Sequence, residues 1–161
     1  MMSPALTKRI HPVSVCSCGI RLPHYNIQKK IMKIRHIGIA VDSIEERLPV
    51  WESFGLKLVH TEKVDSEGVT TAHLKVGDYE IELLEPTGGD TPVGKFIDKK
   101  GPGIHHLALE VENIKESLAK AKENGLEPIG EAPRPGADNT KIAFFHPKDT
   151  GGVLLEIVEV Q

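Results

Sequence analysis

A chain of 161 residues is long enough for one domain with a sizeable core, and at 39% apolar and 27% charged its composition is that of a globular protein. The net charge of −3 is uneven: residues 1–31 hold five basic and no acidic residues, which leaves 15 basic against 23 acidic in the remainder. That acidic remainder argues against a nucleic-acid binder, and no apolar run reaches the roughly 18 residues of a membrane-spanning helix.

Residues 1–31 contain Pro4, Pro12 and Pro23, show no sustained hydrophobic period, and hold both cysteines, Cys16 and Cys18. A disulfide framework is therefore excluded for the rest of the chain, and no site is assigned to the CSC run. The segment reads as an N-terminal extension outside the core. It is a stretch upstream of a natural start at Met32, an organelle-targeting segment, or a disordered tail. The expected compartment is the cytoplasm, or the mitochondrial matrix if 1–31 is a targeting segment. Residues 32–161 read as a single domain.

That domain contains an internal duplication. The stretch HIGIAVDSIEERLPVWESFGL, beginning at His36, lies over HLALEVENIKESLAKAKENGL, beginning at His106, at a constant offset of 70. His36 matches His106, Val41 matches Val111, Ile44 matches Ile114, Leu48 matches Leu118 and Gly55 matches Gly125. Further on, IELLE (81–85) lies over LEIVE (155–159) at offset 74.

Each half opens with a strand (36–41; 106–111) and a cap signal, DSIE at 42–45 or VEN at 111–113. A helix follows, with Ile44, Leu48 and Trp51 on one face of the first and Ile114, Leu118 and Ala121 on one face of the second. Gly55 and Gly125 are stop signals, and Pro49 is expected to kink the first helix or shift its start. Alternating segments then predict three strands per half: LKLVHTEKV, VTTAHLKVG and YEIELLEP, then LEPIGEA (126–132), TKIAFFHP and GVLLEIVEV. The expected fold is α+β: two tandem βαβββ modules (32–86 and 103–161), joined by a linker (87–102). They form a curved mixed sheet with outer helices and a cleft between the halves.

The duplication makes His36 equivalent to His106 and Glu82 equivalent to Glu156. Glu80 and Glu82 share a strand face, so alternation alone cannot choose between them, and the repeat selects Glu82. Two imidazoles and two carboxylates converging from related modules suit a divalent ion such as zinc, nickel, cobalt or manganese. His105 aligns with Arg35 and, by strand alternation, is expected to face away from that site, in a packing, hydrogen-bonding or subunit-contact role.

These residues, with IRHIGIAVDSIEE, IELLEPTGGDTPVGKFI, GPGIHHLALEVENI and FFHPKDTGGVLLEI, resemble the vicinal-oxygen-chelate superfamily and, within it, the methylmalonyl-CoA epimerase family. The resemblance runs from Met32 to the C-terminus. It implies a metal-binding cleft with His36, Glu82, His106 and Glu156 as ligands and Glu156 as a proton-transfer residue. It also implies a divalent metal, cobalt foremost, an acyl-CoA substrate and a homodimer. Some relatives carry a second acid/base Glu where this chain has Thr71. His73 shares that strand face and could substitute, although an exposed edge position is the expectation for it. Lys141, Lys148 and Arg134 are considered as anion partners and left out of the site. The alternatives are a glyoxalase I-type lyase and a non-enzymatic small-molecule binder.

Overall fold

The structure is a computed structural model that describes residues 32–160. The extension at 1–31, with Cys16 and Cys18, lies outside the described residues. Module one consists of β1 (Lys33–Ala40), α1 (Ile44–Ser53), β2 (Lys57–Val64), β3 (Val69–Val76) and β4 (Tyr79–Pro86). After α2 (Pro92–Lys100), module two repeats the order as β5 (Gly103–Glu110), α3 (Ile114–Glu123), β6 (Arg134–Pro135), β7 (Lys141–Phe145) and β8 (Leu155–Glu159). All strands join one mixed sheet in the order β2-β3-β4-β1-β5-β8-β7-β6. The duplicated βαβββ plan is therefore the architecture of the molecule.

The register shows how the halves meet. β1 pairs antiparallel with β5, placing Ile37 opposite Leu107, its own repeat equivalent. His36 then faces Ala108 and Gly38 faces His106, so a pseudo-twofold axis passes between the central strands. Each first strand also pairs in parallel with the last strand of its module, β1 with β4 and β5 with β8. The sheet curls until its two edges are bridged by side chains. Arg134 on β6 donates to Glu67 in the β2–β3 turn, and His60 on β2 lies 2.9 Å from Asp138.

Both long helices form where their caps predict. Ser43 Oγ accepts from the Glu46 amide and Asn113 Oδ1 from the Glu116 amide, satisfying first-turn N–H groups that have no partner within the helix. Gly55 and Gly125 follow the helix ends at φ of 89° and 78°, a region open to glycine at little cost. α1 runs through Pro49 without a displaced start, giving up the bond that residue 49 would donate to the Glu45 carbonyl. Apolar helix faces cover one side of the sheet. Ile44, Leu48 and Trp51 pack with Ala72, Leu74 and Leu83, while Ile114, Leu118 and Ala121 pack with Ala143, Phe145 and Ile157.

One expectation is extended and one is corrected. The linker contains a helix, α2, with Thr91 as N-cap, Pro92 in its first turn and Gly101 at its end, signals that were present in the sequence. The segment 126–132 forms no regular strand among the described residues. A single bridge joins Pro128 to Phe145, and the edge strand is the two-residue β6. Pro128 has no N–H for the ladder and Gly130 turns the chain at φ 67°, so extended pairing cannot continue there.

Candidate metal centre

The strand register lays the four candidate ligands out in two rows related by the pseudo-dyad. Glu82 on β4 pairs with Gly38 on β1, and Gly38 pairs with His106 on β5. Across the axis, Glu156 on β8 pairs with Ala108 on β5, and Ala108 pairs with His36 on β1. The small residues between each acid and histidine leave room for the imidazoles. At Gly38 the space is used fully: a Cβ there would stand 2.3 Å from His106 Cε1 and 2.5 Å from Nδ1.

All four side chains are buried and converge. The two Nε2 atoms of His36 and His106 are 2.8 Å apart. Glu156 Oε2 stands 3.0 Å from His36 Nε2 and 3.2 Å from His106 Nε2. Glu82 Oε2 completes the group at 3.3 Å from His36 and 3.7 Å from His106. The charges tune each other. Burial would lower the pKa of His36, but Glu156 and then Glu82 outweigh it and raise it above its ordinary value. Burial would raise Glu156, but the His106 and His36 imidazoles at its oxygens hold it down at about 2.

His105 does not face away as strand alternation predicts. Its Nδ1 lies 3.0 Å from Nδ1 of His106, and both rings line the same cavity. The reason is a register shift between β1 and β5. Gly38 pairs with His106 and the next residue, Ile39, with Ile104, so His105 is skipped as an extra residue. Arg35, its repeat equivalent, is skipped in the same way between Ile34 and His36. Burial and then His106 lower the pKa of His105 to about 4, so its ring is neutral at pH 7 and can accept the His106 Nδ1 proton. That leaves His106 Nε2 for the cluster, and Phe96 from α2 packs edge-on against His105 behind it.

Row one continues outward, since Glu82 pairs with His73 and His73 with His60. The expectation of an exposed His73 is overturned: it is 3% exposed, with Nε2 3.2 Å from Thr71 Oγ1 and 3.4 Å from Glu82 Oε1. His60 stacks on its outer face at 4.3 Å, which removes the edge-strand exposure that the sequence pattern suggested. Row two carries Phe144 at the matching place, paired with Glu156. The fold accepts an apolar ring there, so it does not itself require a histidine at 73. The rows floor a cavity of about 210 Å³, walled by Val69, Leu84, Val93, Ile142 and Val158.

Comparison with known proteins fits this geometry. The sequence profile of the glyoxalase/bleomycin resistance protein/dioxygenase superfamily matches residues 35–144. The chain belongs to that superfamily. Within the superfamily, the human mitochondrial methylmalonyl-CoA epimerase is 32% identical over 78% of this chain and 72% of its own. The crystal structure of a hypothetical protein from Bacillus halodurans is 46% identical with a TM-score of 0.79, covering 82% of this chain and 96% of that one. A variant of Streptomyces coelicolor methylmalonyl-CoA epimerase, in complex with 2-nitronate-propionyl-CoA, is 35% identical with a TM-score of 0.77, covering 80% and 94%.

The donor set fits a divalent cation, as this superfamily membership leads one to expect. Three lone-pair atoms, two Nε2 and Glu156 Oε2, lie within 3.2 Å of one another. Too few protons exist to bridge them all, and Glu156 Oε2 is buried without a hydrogen bond of acceptable geometry. Donors about 2.1 Å from a shared cation at right angles stand about 3 Å apart, which is the spacing found.

Proposed function

We propose that the protein is a methylmalonyl-CoA epimerase, interconverting (R)- and (S)-methylmalonyl-CoA by moving the proton α to the thioester. The observation that carries this reading is the buried, pseudo-symmetric set of His36, Glu82, His106 and Glu156 in a chain whose relatives bear that name. In this reading those four residues hold a divalent cation, cobalt foremost, with manganese, nickel and zinc as alternatives. Such a cation would stabilise negative charge on the thioester oxygen as the α-proton leaves. Glu156, kept ionised by its imidazole neighbours, is in the form that accepts a proton.

Inversion requires proton transfer on both faces of the α-carbon. Thr71 cannot serve alone, because a hydroxyl is too weak an acid and base. We assign the second transfer to His73, whose Nε2 meets the Thr71 hydroxyl on the cavity wall. The apolar lining keeps water from competing for that proton. We read residues 32–161 as the working domain and the active species as a homodimer in the cytoplasm. Sedimentation and cell fractionation test the last two points. Among the described residues, no helix is long and apolar enough to cross a membrane.

The deciding experiment incubates the cobalt-loaded protein in D₂O with (R)- or (S)-methylmalonyl-CoA, following epimerisation and deuterium at the α-carbon. Epimerisation with deuterium uptake is expected. Turnover of the hemithioacetal of methylglyoxal, without exchange in methylmalonyl-CoA, would instead make the protein a glyoxalase I-type lyase.

A further inference from the structure

Glu80, which strand alternation does not separate from Glu82, sits two residues before it on β4, with its side chain only 12% exposed. Its two oxygens have different neighbours. Oε1 meets two cations, Arg35 Nη1 at 3.6 Å and Lys75 Nζ at 3.5 Å, while Oε2 stands 3.4 Å from Nδ1 of His73. Arg35 is the extra residue of the β1 ladder, skipped between Ile34 and His36. The His73 ring is thereby held on three sides. Glu80 meets Nδ1, His60 stacks on one face at 4.3 Å, and Thr71 Oγ1 lies 3.2 Å from Nε2. His60 and His73, with Asp138 beside them, do not make a second cation site. Their rings lie 11° from parallel and point their nitrogens side by side, whereas His36 and His106 cross at 77° and converge.

Module two shows what the fold requires at these places. The offset of 74 that matches Glu82 to Glu156 also matches Glu80 to Leu154. His73 and Phe144 correspond as the residues paired with Glu82 and Glu156. An imidazole and a carboxylate in one half thus stand where the other half has two apolar side chains, so packing alone does not call for the pair. A neutral imidazole carries its proton on one nitrogen and its lone pair on the other. A carboxylate only accepts, so Glu80 selects the Nδ1–H form and leaves the Nε2 lone pair to the Thr71 hydroxyl and the cavity. We infer that Glu80 is a positioning residue, held by Arg35 and Lys75, that fixes the tautomer and orientation of His73 so that Nε2 is the atom exchanging a proton with the substrate α-carbon. This rests on the epimerase reading, which gives His73 its reaction. In one direction the α-C–H bond breaks as Nε2–H forms; in the other Nε2–H breaks as the C–H bond forms. Glu80 exchanges no proton in either, and stabilises the imidazolium between them.

Two variants separate this role from that of a structural ion pair. In Glu80→Gln the two cations claim the amide oxygen, which leaves the NH₂ group to donate to Nδ1 and forces the proton onto Nε2. Glu80→Leu copies module two and imposes neither tautomer. Epimerisation and deuterium uptake are measured on the cobalt-loaded enzyme. The tautomer of His73 is read from ¹⁵N-histidine spectra of the zinc-loaded protein, with His73→Gln identifying the signal. Glu80→Gln is expected to lower kcat by about tenfold or more, up to the roughly 10²- to 10⁴-fold loss set for His73→Gln, with KM within about twofold. Glu80→Leu should lose less, and in both variants deuterium should still enter one epimer through Glu156. The His73 proton should sit on Nδ1 in wild type and on Nε2 in Glu80→Gln. A greater loss in Glu80→Leu than in Glu80→Gln, or an equal fall of exchange and inversion, would make Glu80 a structural partner and overturn the proposal. A wild-type proton on Nε2 would overturn it equally. Should Glu80→Leu fail to fold, the tautomer and exchange of Glu80→Gln decide. A wild type that does not epimerise would refute the epimerase reading, while the tautomer reversal would still decide whether Glu80 sets His73.

Discussion

Replacing Gly38 with alanine would drive a Cβ into the ring of His106, whose other side is held by His105 and Phe144. The ring must shift, so Gly38→Ala is expected to weaken metal affinity by about 10- to 100-fold with the far-UV circular dichroism unchanged, as metal titration would show. His73 provides a second test at this scale. With His73→Gln, kcat for epimerisation should fall by about 10²- to 10⁴-fold. Deuterium from D₂O should still enter one epimer through Glu156, because only one of the two proton transfers is lost. Equal loss of exchange and inversion would remove His73 from that role. Individual residues were unevenly legible. His36, Glu82, His106 and Glu156 could be picked out because the duplication repeats them in order. His73 and His105 were misplaced because strand alternation says nothing of what stacks over an edge or where a ladder slips by one residue.

The elements are held by a device that the duplication also repeats. Glu85, at the end of β4, accepts from the Ile44 amide at 2.6 Å, and Glu159, at the end of β8, accepts from the Ile114 amide at 2.7 Å. Each carboxylate thus pins the first turn of a helix to the last strand of its module and meets the positive end of the helix dipole. The Ile114 amide first, and then Lys141, lower the pKa of Glu159 below its ordinary 4.5. A carboxylate whose folded pKa is depressed stabilises the protein above its unfolded value and loses that contribution as pH falls through the folded one. Glu159→Gln should therefore lower Tm at pH 7. The gap to wild type should narrow below about pH 4.5 and close at lower pH, as thermal unfolding at a series of pH values would reveal. Both glutamates sit inside IELLE and LEIVE, so their repetition was visible in the sequence, but their partners were not.

For the whole molecule, the four donors come from β1, β4, β5 and β8, two from each module, so a cation held by them would join the halves across the pseudo-dyad. Cobalt or another fitting ion should raise Tm as its concentration rises, by about 2.7 kcal/mol of stability at one hundred times Kd. A chelator should reverse the shift, and Glu82→Ala with Glu156→Ala should abolish it; unchanged metal content in that double variant would refute the ligand set. The amino-acid sequence by itself determined the duplicated βαβββ plan, the two capped helices and the four equivalent donors. Those are matters of hydrophobic period, cap chemistry and repetition, which are written along the chain. Only the tertiary structure decided that the sheet edges curl together, burying His73 beneath His60 and setting Arg134 against Glu67. Those contacts join residues that lie far apart in sequence or on different strands, and their geometry follows from sheet curvature and a one-residue register shift rather than from any local pattern.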